Sequence, residues 1–163
     1  MTRAAFLDRD GVINVERGPV RRPEDFELRV GTVEGLALLR DAGFLLLVIT
    51  NQSWICDRSE NAARYGDVTA RMVELLAAGG VRLGGIFHCP HHPFTDCLCR
   101  KPKPGLIHAA ASIHDVDLSA SVLIGDQQRD ITAGERAGVG RCVLIGPETT
   151  LYRVAQEVTC STH

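Results

Sequence analysis

The chain carries no strong charge of either sign, no long apolar run and no low-complexity segment. Its net charge of −2 gives no electrostatic basis for binding nucleic acid or an anionic membrane surface. No apolar run approaches the roughly 20 residues of a membrane span, and the stretch before the first apolar run, residues 1–3, is too short for a signal peptide. With no repeat and no interdomain linker, we expect one cytoplasmic domain over residues 1–163.

Short apolar runs instead alternate with segments of helical periodicity. The strands predicted from these runs cover residues 4–7, 44–49, 86–87, 122–124 and 142–145. Helices are predicted over 32–41 with Thr32 as the N-cap, from a start between 59 and 65 up to Gly79, from Pro104 to about 114, and over 131–137. Residues 15–26 form a long loop, and the tail from Pro147 favours no element. This alternation is typical of an α/β fold with a doubly wound parallel sheet and right-handed crossovers.

Polar side chains follow three of the predicted strands. Asp8 and Asp10 come directly after the first strand, Thr50 after the second, and Asp126 after the fourth. The ends of parallel strands open onto a crevice where ligands bind, and two close carboxylates repel each other unless a cation, for which Mg²⁺ is suited, lies between them. A magnesium site is therefore predicted at this edge, although Asp8–Gly11 alone fits an ordinary Asp-Gly turn equally well.

Three of the six cysteines lie between positions 89 and 99. Cys89-x-His91 is followed, after a short loop, by Cys97-x-Cys99, and three thiolates with one imidazole form the tetrahedral ligand set that zinc selects. Four protein ligands leave no open position, so this zinc would be structural. His92 in place of His91 is an alternative ligand, and four unrelated reduced residues in a loop are the alternative to any metal at all.

A basic stretch follows this segment directly. It contains Arg100 and Lys101, within Arg-Lys-Pro-Lys-Pro. A basic stretch fixed by zinc beside an acidic, metal-binding edge predicts a phosphate-binding site.

Four of these motifs, in this order, resemble those of the haloacid dehalogenase superfamily of phosphotransferases. The first motif, Asp-x-Asp-Gly, corresponds to residues 8–11, and the second, a strand ending in Thr or Ser, corresponds to Thr50. The third, a lysine before Pro-x-Pro, corresponds to Lys101, and the fourth, Gly-Asp-x-x-x-Asp, includes Asp126 and Asp130. The resemblance covers residues 6 to 130 and is highly specific because all four motifs occur together.

Two zinc-containing branches of this superfamily share the Cys-x-His…Cys-x-Cys-Arg-Lys-Pro signature. Segments 6–14, 50–53 and 89–93 are more similar to the heptose 1,7-bisphosphate 7-phosphatases than to the histidinol-phosphatase domains. Either branch implies the haloacid dehalogenase core without a large cap domain, plus a zinc-bound loop. The resemblance also implies a small phosphorylated sugar as substrate. From the charge and the short apolar runs we expect no nucleic-acid or membrane partner, and we expect a monomer.

The family chemistry assigns a role to each motif residue. Asp8 would attack phosphorus and form an aspartyl-phosphate, while Asp10 would protonate the leaving oxygen and later deprotonate the attacking water. Mg²⁺ would be held by the Asp8 carboxylate, the Asp10 backbone carbonyl and Asp126, and Thr50 with Lys101 would hold the transferring oxygens. The reaction implied is hydrolysis of the C7 phosphate of D-glycero-D-manno-heptose 1,7-bisphosphate.

Substrate contacts are implied for a larger set of residues. They are Glu16, Arg17, Gly18, Pro19, Thr50, Asn51, Gln52, Ser53, Arg100 and Lys101. For Glu16 and Arg17 individually, a solvated turn is an equally good interpretation.

The chain departs from the heptose branch after Ser53. The family usually continues Gly-Ile-Ala-Arg-Gly, whereas this chain has Trp54 in place of the glycine and Asp57 in place of the arginine. We therefore hypothesise that these two residues reshape the pocket for a different anomer or a modified sugar phosphate. A histidinol-phosphate phosphatase, a phosphatase for another small sugar phosphate, and a catalytically silent sugar-phosphate-binding protein are the alternatives, and the last would lack Asp8 or Asp10.

Overall fold

Five parallel strands form one sheet whose central strand is the first in the chain. The computed structural model describes residues 1–160, so the last three residues of the predicted domain lie outside the described part. The strands are β1 (Ala4–Leu7), β2 (Leu45–Asn51), β3 (Gly85–Cys89), β4 (Val122–Gly125) and β5 (Arg141–Leu144), in the spatial order β3-β2-β1-β4-β5. All four neighbouring pairs are parallel.

Helices lie on both faces of this sheet. They are α1 (Thr32–Asp41), α2 (Asn61–Ala78), α3 (Gly105–His114), α4 (Gln128–Ala137) and α5 (Leu151–Cys160), and short 3-10 helices cover Pro23–Asp25 and Ser53–Asp57. Alternate residues of β1 belong to different cores: Ala5 and Leu7 pack with residues of α1, α2 and α5, whereas Ala4 and Phe6 pack with residues of α3 and α4. The sheet is therefore buried on both sides, and the predicted doubly wound α/β fold is confirmed.

Three predicted helix starts are wrong. Gly31, at φ 79°, is the N-cap of α1, and Thr32 is already helical, its hydroxyl donating to the Ile13 carbonyl at 3.0 Å. Helix α4 begins at Gln128, three residues before the predicted Ile131. The prediction was late because the first turn of this helix is polar and hides the helical periodicity. Pro104 is the N-cap of α3 and not its first helical residue.

The tail, for which the sequence predicted no element, forms α5. Its buried residues Leu151, Val154, Ala155 and Val158 recur at helical spacing, a signal that was present in the sequence. The helix packs closely on α1 at Gly35, where a Cβ atom would lie 2.6 Å from the Leu151 backbone. Only glycine permits this approach.

Arg29 fixes the loops at the carboxyl edge of the sheet. Its guanidinium donates to the carbonyls of Gly146, Pro147 and Thr149 at 3.0–3.1 Å and also to the Gly11 carbonyl. The loop after β1 is thereby tied to the loop after β5. Within residues 1–160, no helix combines the length and apolar character needed to cross a membrane.

Candidate active site

A cleft opens at the carboxyl edge of the sheet, where β1, β2 and β4 end side by side. Its cavity volume is about 170 Å³. The predicted site residues that line it are Asp8, Asp10, Glu16, Gly18, Pro19, Thr50, Asn51, Gln52, Ser53, Lys101 and Asp126. Residues from the loop after β1, from the end of β2, from the segment after the cysteines and from the end of β4 therefore converge at one place.

The floor of the cleft is a buried cluster of charges. The Lys101 ammonium group forms ion pairs with Asp8 Oδ1 at 2.9 Å and with Asp130 Oδ1 at 2.8 Å. It also donates a hydrogen bond of 2.9 Å to the Ile49 carbonyl. Lys101 is only 2% exposed.

Burial strongly perturbs this cluster. It raises the pKa of Asp8 to about 7, although the neighbouring Lys101 ammonium acts in the opposite direction. Burial alone would lower the pKa of Lys101, but the charges of Asp8 and Asp130 outweigh it and hold this pKa above its ordinary value. The pKa of Asp126 is also raised, by burial and by the negative charges of Asp130 and Glu16. The floor is therefore short of positive charge.

Three carboxylates of the floor lie close enough to share a cation. One oxygen each of Asp8, Asp126 and Asp130 falls within 4.8 Å of the others. Asp126 Oδ1 is buried and has no hydrogen-bond partner in the described chain. Gly11, at φ 84°, makes room for this carboxylate, since a Cβ atom there would lie 2.1 Å from Asp126 Oδ2. Hard oxygen ligands in this number suit a divalent cation such as Mg²⁺.

The Asp10 carboxylate is held apart from these three by side-chain donors. The Arg9 guanidinium donates from Nη2 to both Asp10 oxygens at 3.0 and 3.1 Å, and Asn14 Nδ2 donates to Oδ1 at 2.9 Å. On the cleft side, Gln52 Nε2 donates to Oδ2 at 2.7 Å. Arg9 is 1% exposed, so a buried guanidinium fixes a carboxylate at the cleft wall.

The end of β2 is linked to the segment that carries Lys101. Asn51 Nδ2 donates to the Lys101 carbonyl, and the Lys101 amide donates to Asn51 Oδ1, both at 3.1 Å. Next to it, the Thr50 hydroxyl accepts from Gln52 Nε2 at 2.9 Å. The two Asn51 bonds hold the backbone of Lys101 against the end of β2.

A second cluster, of Cys89, His91, Cys97 and Cys99, lies at the end of β3 and in the loop that follows it. Their ligand atoms fall within 4.8 Å of one another. Cys89 Sγ is 3.7 Å from Cys97 Sγ, and His91 Nδ1 is 3.5 Å from Cys89 Sγ and 3.2 Å from Cys99 Sγ. Zinc–sulfur bonds of about 2.3 Å in a tetrahedron put two sulfurs about 3.8 Å apart, so this arrangement could hold zinc.

Comparisons with known proteins agree with this geometry. A HAD-hydrolase-like family model matches residues 98–157. A relative from Photorhabdus laumondii, D-glycero-alpha-D-manno-heptose-1,7-bisphosphate 7-phosphatase, is 42% identical over 150 residues, which cover 88% of this chain and 82% of the relative. The Vibrio cholerae D-glycero-beta-D-manno-heptose-1,7-bisphosphate 7-phosphatase is 41% identical, over 87% of this chain and 80% of its own. The chain belongs to the heptose-1,7-bisphosphate 7-phosphatase family.

A solved structure extends this similarity to three dimensions. The D,D-heptose 1,7-bisphosphate phosphatase of B. bronchiseptica, complexed with magnesium and phosphate, has a TM-score of 0.85 and 27% identity. The match covers 98% of this chain and 99% of that one. The resemblance predicted from the motifs is therefore confirmed over nearly the whole chain.

Two residues of the predicted substrate set lie outside the cleft lining within the described chain. The Arg17 guanidinium pairs with Glu27 on the exposed loop, and Arg100 lies beside a separate cavity near Arg136. Asp57, one of the two departures from the family sequence, pairs with Arg21 at 3.7 Å and also lies outside the lining. Trp54, the other departure, lines the cleft and is 5% exposed.

The sequence did not assign three residues that the fold brings to the site. Gln127 and Arg129, in the first turn of α4 and its N-cap, line the cleft. Asp130 was recognised as part of a motif but not as a member of the carboxylate cluster, and its other oxygen accepts from the Gln127 amide at 3.0 Å. The start of α4 was misplaced in the sequence prediction, which is the reason that Arg129 was missed.

Proposed function

We propose that this chain hydrolyses the C7 phosphate of D-glycero-D-manno-heptose 1,7-bisphosphate in a Mg²⁺-dependent reaction. The observation that carries the proposal is the buried Asp8 carboxylate, which lies between the Lys101 ammonium and two further carboxylates at the floor of an open cleft. Membership of a family whose relatives are named for this reaction supports the choice of substrate.

Magnesium fits the residues at the floor. The cluster of Asp8, Asp126 and Asp130 has an unpartnered buried oxygen on Asp126, and the solved relative was obtained with magnesium. Asp8 and Asp126, with the backbone carbonyl of Asp10, would hold the ion, which when bound neutralises negative charge between the nucleophile and the phosphate. The burial that raises the pKa of Asp8 to about 7 is then offset, and Asp8 is held as the carboxylate.

Asp8 is the proposed nucleophile. A carboxylate oxygen of Asp8 forms a bond to phosphorus while the bond from phosphorus to the sugar oxygen breaks, leaving a phosphoryl group on Asp8. Water then attacks this phosphorus and releases inorganic phosphate, which regenerates the carboxylate. The backbone amide of Arg9, which donates to Asp8 Oδ1 at 2.8 Å, and the Lys101 ammonium orient the Asp8 carboxylate for both steps.

Asp10 is the proposed general acid and base. It gives a proton to the departing sugar oxygen and takes one from the attacking water. Its hydrogen bonds to Arg9, Asn14 and Gln52 support this role because they fix one carboxylate within the cleft but apart from the metal cluster. Thr50 and Lys101 are the proposed donors to the transferring phosphoryl oxygens.

The remainder of the substrate is proposed to lie along the rim. Glu16, Gly18, Pro19, Asn51, Gln52 and Ser53 remain the predicted contacts there, and their position in the cleft lining supports them. Arg129 is exposed and lines the same cleft, and within residues 1–160 no ion pair is recorded for it, so we assign it to the second phosphate of the bisphosphate. Arg17 and Arg100 remain predictions that require movement of their side chains.

Zinc is the proposed occupant of the Cys/His cluster, in a structural role. The sulfur–sulfur separation of 3.7 Å supports tetrahedral coordination, and four protein ligands leave no position for substrate. A cytoplasmic location and a monomeric state complete the proposal and remain predictions.

The test is regiospecific phosphate release followed by ³¹P NMR. Both anomers of the heptose 1,7-bisphosphate and histidinol phosphate are each incubated with the protein and Mg²⁺, with Asp8→Asn as the control. We expect loss of the C7 phosphate from one or both heptose anomers and none with Asp8→Asn. Release from histidinol phosphate alone, or from none of the three by zinc-replete protein, would overturn the proposed substrate.

A further inference from the structure

The tryptophan that replaces the usual family glycine is hydrogen-bonded into the catalytic wall. Trp54 Nε1 donates to Gln52 Oε1 at 2.7 Å. Gln52 in turn donates from Nε2 to Asp10 Oδ2 at 2.7 Å and to Thr50 Oγ1 at 2.9 Å. Trp54 thus connects through one amide to two residues assigned to the reaction, and Gln52 is only 2% exposed.

The direction of these bonds follows from the chemistry of the indole. An indole N–H can only donate, so the oxygen of the Gln52 amide has to face Trp54. The NH₂ group of the amide then has to face Asp10 and Thr50. Without an external donor, the two orientations of a glutamine amide differ by a half-turn and exchange its oxygen and nitrogen. The reversed orientation would place the amide oxygen against the Asp10 carboxylate, which is unfavourable.

Trp54 is itself held in place by its surroundings. Asn61 Nδ2 donates to the Trp54 carbonyl at 2.6 Å, and the ring of Tyr65 meets the indole edge-on, with centroids 6.5 Å apart. The Arg21 guanidinium lies 5.8 Å from the indole centroid. One bond to its backbone and two contacts to its ring therefore hold Trp54 as a donor of defined direction.

We propose that Trp54 is a positioning residue, which through the Gln52 amide holds Asp10 and Thr50 in place for phosphoryl transfer. The kinetic consequence rests on the proposed function, whereas the hydrogen-bonded chain from Trp54 to Asp10 does not. In this chain, Trp54 therefore acts on the catalytic residues through Gln52.

The kinetic test uses Trp54→Phe, which removes the N–H and keeps an aromatic ring. Loss of one hydrogen bond of ordinary strength predicts a fall in kcat of about 3- to 10-fold, with KM for the bisphosphate changed less than about twofold. Tyr152→Phe, which alters an aromatic residue on α5, should match the wild type. An unchanged kcat in Trp54→Phe, or a change confined to KM, would overturn the proposal.

A double-mutant cycle with Gln52→Ala tests whether Trp54 acts through Gln52. If it does, Trp54→Phe lowers kcat in the wild-type background and has no further effect in Gln52→Ala. The same fold-change in both backgrounds would show an independent role and overturn the proposal. Thermal unfolding of each variant confirms that the compared proteins are folded.

A spectroscopic arm is independent of turnover. Trp54 is the only tryptophan in the chain, so its indole N–H gives one ¹⁵N–¹H resonance. Removal of its acceptor in Gln52→Ala should shift that resonance and speed exchange of its proton with water, while Tyr152→Phe leaves both unchanged. If Gln52→Ala changed neither the position of the indole resonance nor the exchange rate of its proton, the inference would be overturned. An inert wild-type protein whose resonance responds would instead contradict only the proposed function.

Discussion

The two polar clusters of this molecule are built in opposite ways. The Asp8–Lys101–Asp130 cluster takes its members from distant parts of the chain, and each is under 10% exposed because the sheet buries it. The four residues of the Cys/His cluster all lie within one short segment, which runs from the last residue of β3 into the loop before α3. That segment exposes its large apolar side chains, with Phe94 at 92% and Leu98 at 81%. The first cluster forms because the fold brings distant residues together. The second cluster, in contrast, stabilises the loop that contains it.

The two clusters meet at Lys101. This residue lies two positions after Cys99, so the loop fixed by the Cys/His cluster delivers the ammonium group to the floor of the cleft. The paired hydrogen bonds between Asn51 and the Lys101 backbone secure it from the other side. The order of the loop is therefore a condition for the geometry of the active site.

Removing zinc should produce the largest effect, because it disrupts the Cys/His cluster and the loop that contains it. Structural zinc contributes on the order of 10 kcal/mol to the folding of such segments, so chelation or Cys97→Ser should lower the Tm and disorder the loop. Turnover should fall at least about 100-fold, because misplacement of a group that orients the reaction has effects of this size. Metal analysis, thermal unfolding and phosphate release measure these effects.

The control for that prediction is Cys160→Ser, which changes an exposed cysteine outside the cluster. It should bind zinc in equimolar amount and keep full activity. A Cys97→Ser protein with full zinc and full activity would show that the loop does not depend on this ligand set.

Lys101→Met should break the cluster at the floor while leaving the zinc loop intact. Removal of one partner of a buried ion pair costs about 3–5 kcal/mol, and here two buried carboxylates lose their counter-charge. We expect lower stability in chemical denaturation, negligible turnover and unchanged zinc content. Lys103→Met is the matched control, since its exposed pair with Asp96 contributes little. Equal effects of the two substitutions would contradict the buried-cluster account.

Arg129→Gln should change substrate binding at the rim of the cleft and leave the charged cluster at its floor intact. Loss of a charge-assisted contact to phosphate, about 1.5–3 kcal/mol, predicts a fall of about 10- to 100-fold in kcat/KM for the bisphosphate. The heptose 7-monophosphate, which lacks the second phosphate, should be turned over equally by both proteins. Arg82→Gln changes an exposed arginine three residues before β3 and should leave the turnover of both substrates unaffected. An equal fall in kcat/KM for both substrates in Arg129→Gln would show that Arg129 does not bind the second phosphate.

The smallest effect concerns pH. Burial raises the pKa of Asp8 to about 7, so below that pH the proton competes with Mg²⁺ for the carboxylate. The Kd for Mg²⁺ should rise by up to about tenfold for each pH unit below about 7, with one proton released on binding. Without metal, the sign for stability is the reverse: the unfolded carboxyl ionises at its ordinary value, so the contribution of Asp8 to stability falls as pH rises from about 4 to about 7.

Calorimetric titration of Mg²⁺ at several pH values measures this competition. The Asp8→Asn protein should lose the proton linkage along with most of the affinity. A Kd that stays constant across this range in the wild type would show that Asp8 remains ionised without the metal.

The features predictable from the sequence were those with a short-range signal. Buried parallel strands are continuous apolar runs, and such strands place Asp8, Thr50 and Asp126 at one edge whatever the loops do. The cysteine spacing is equally local. The features that could not be predicted depend on contacts between distant segments. Arg9 and Gln52 both donate hydrogen bonds to Asp10, and no local pattern indicates this. Arg129 lines the cleft because α4 begins earlier than predicted, and the polar first turn of that helix hid its start. Helix α5 had a visible periodic pattern, but its position against Gly35 did not follow from it.

The central claim is that Asp8 carries the phosphoryl group during turnover. Rapid acid quenching of the enzyme with Mg²⁺ and the heptose bisphosphate, followed by mass spectrometry of its peptides, tests this directly. The account predicts a phosphoryl group on the peptide containing Asp8 in the wild type, and neither this adduct nor phosphate release in Asp8→Asn. Undiminished phosphate release by Asp8→Asn, or a phosphoryl group found on another residue, would contradict it.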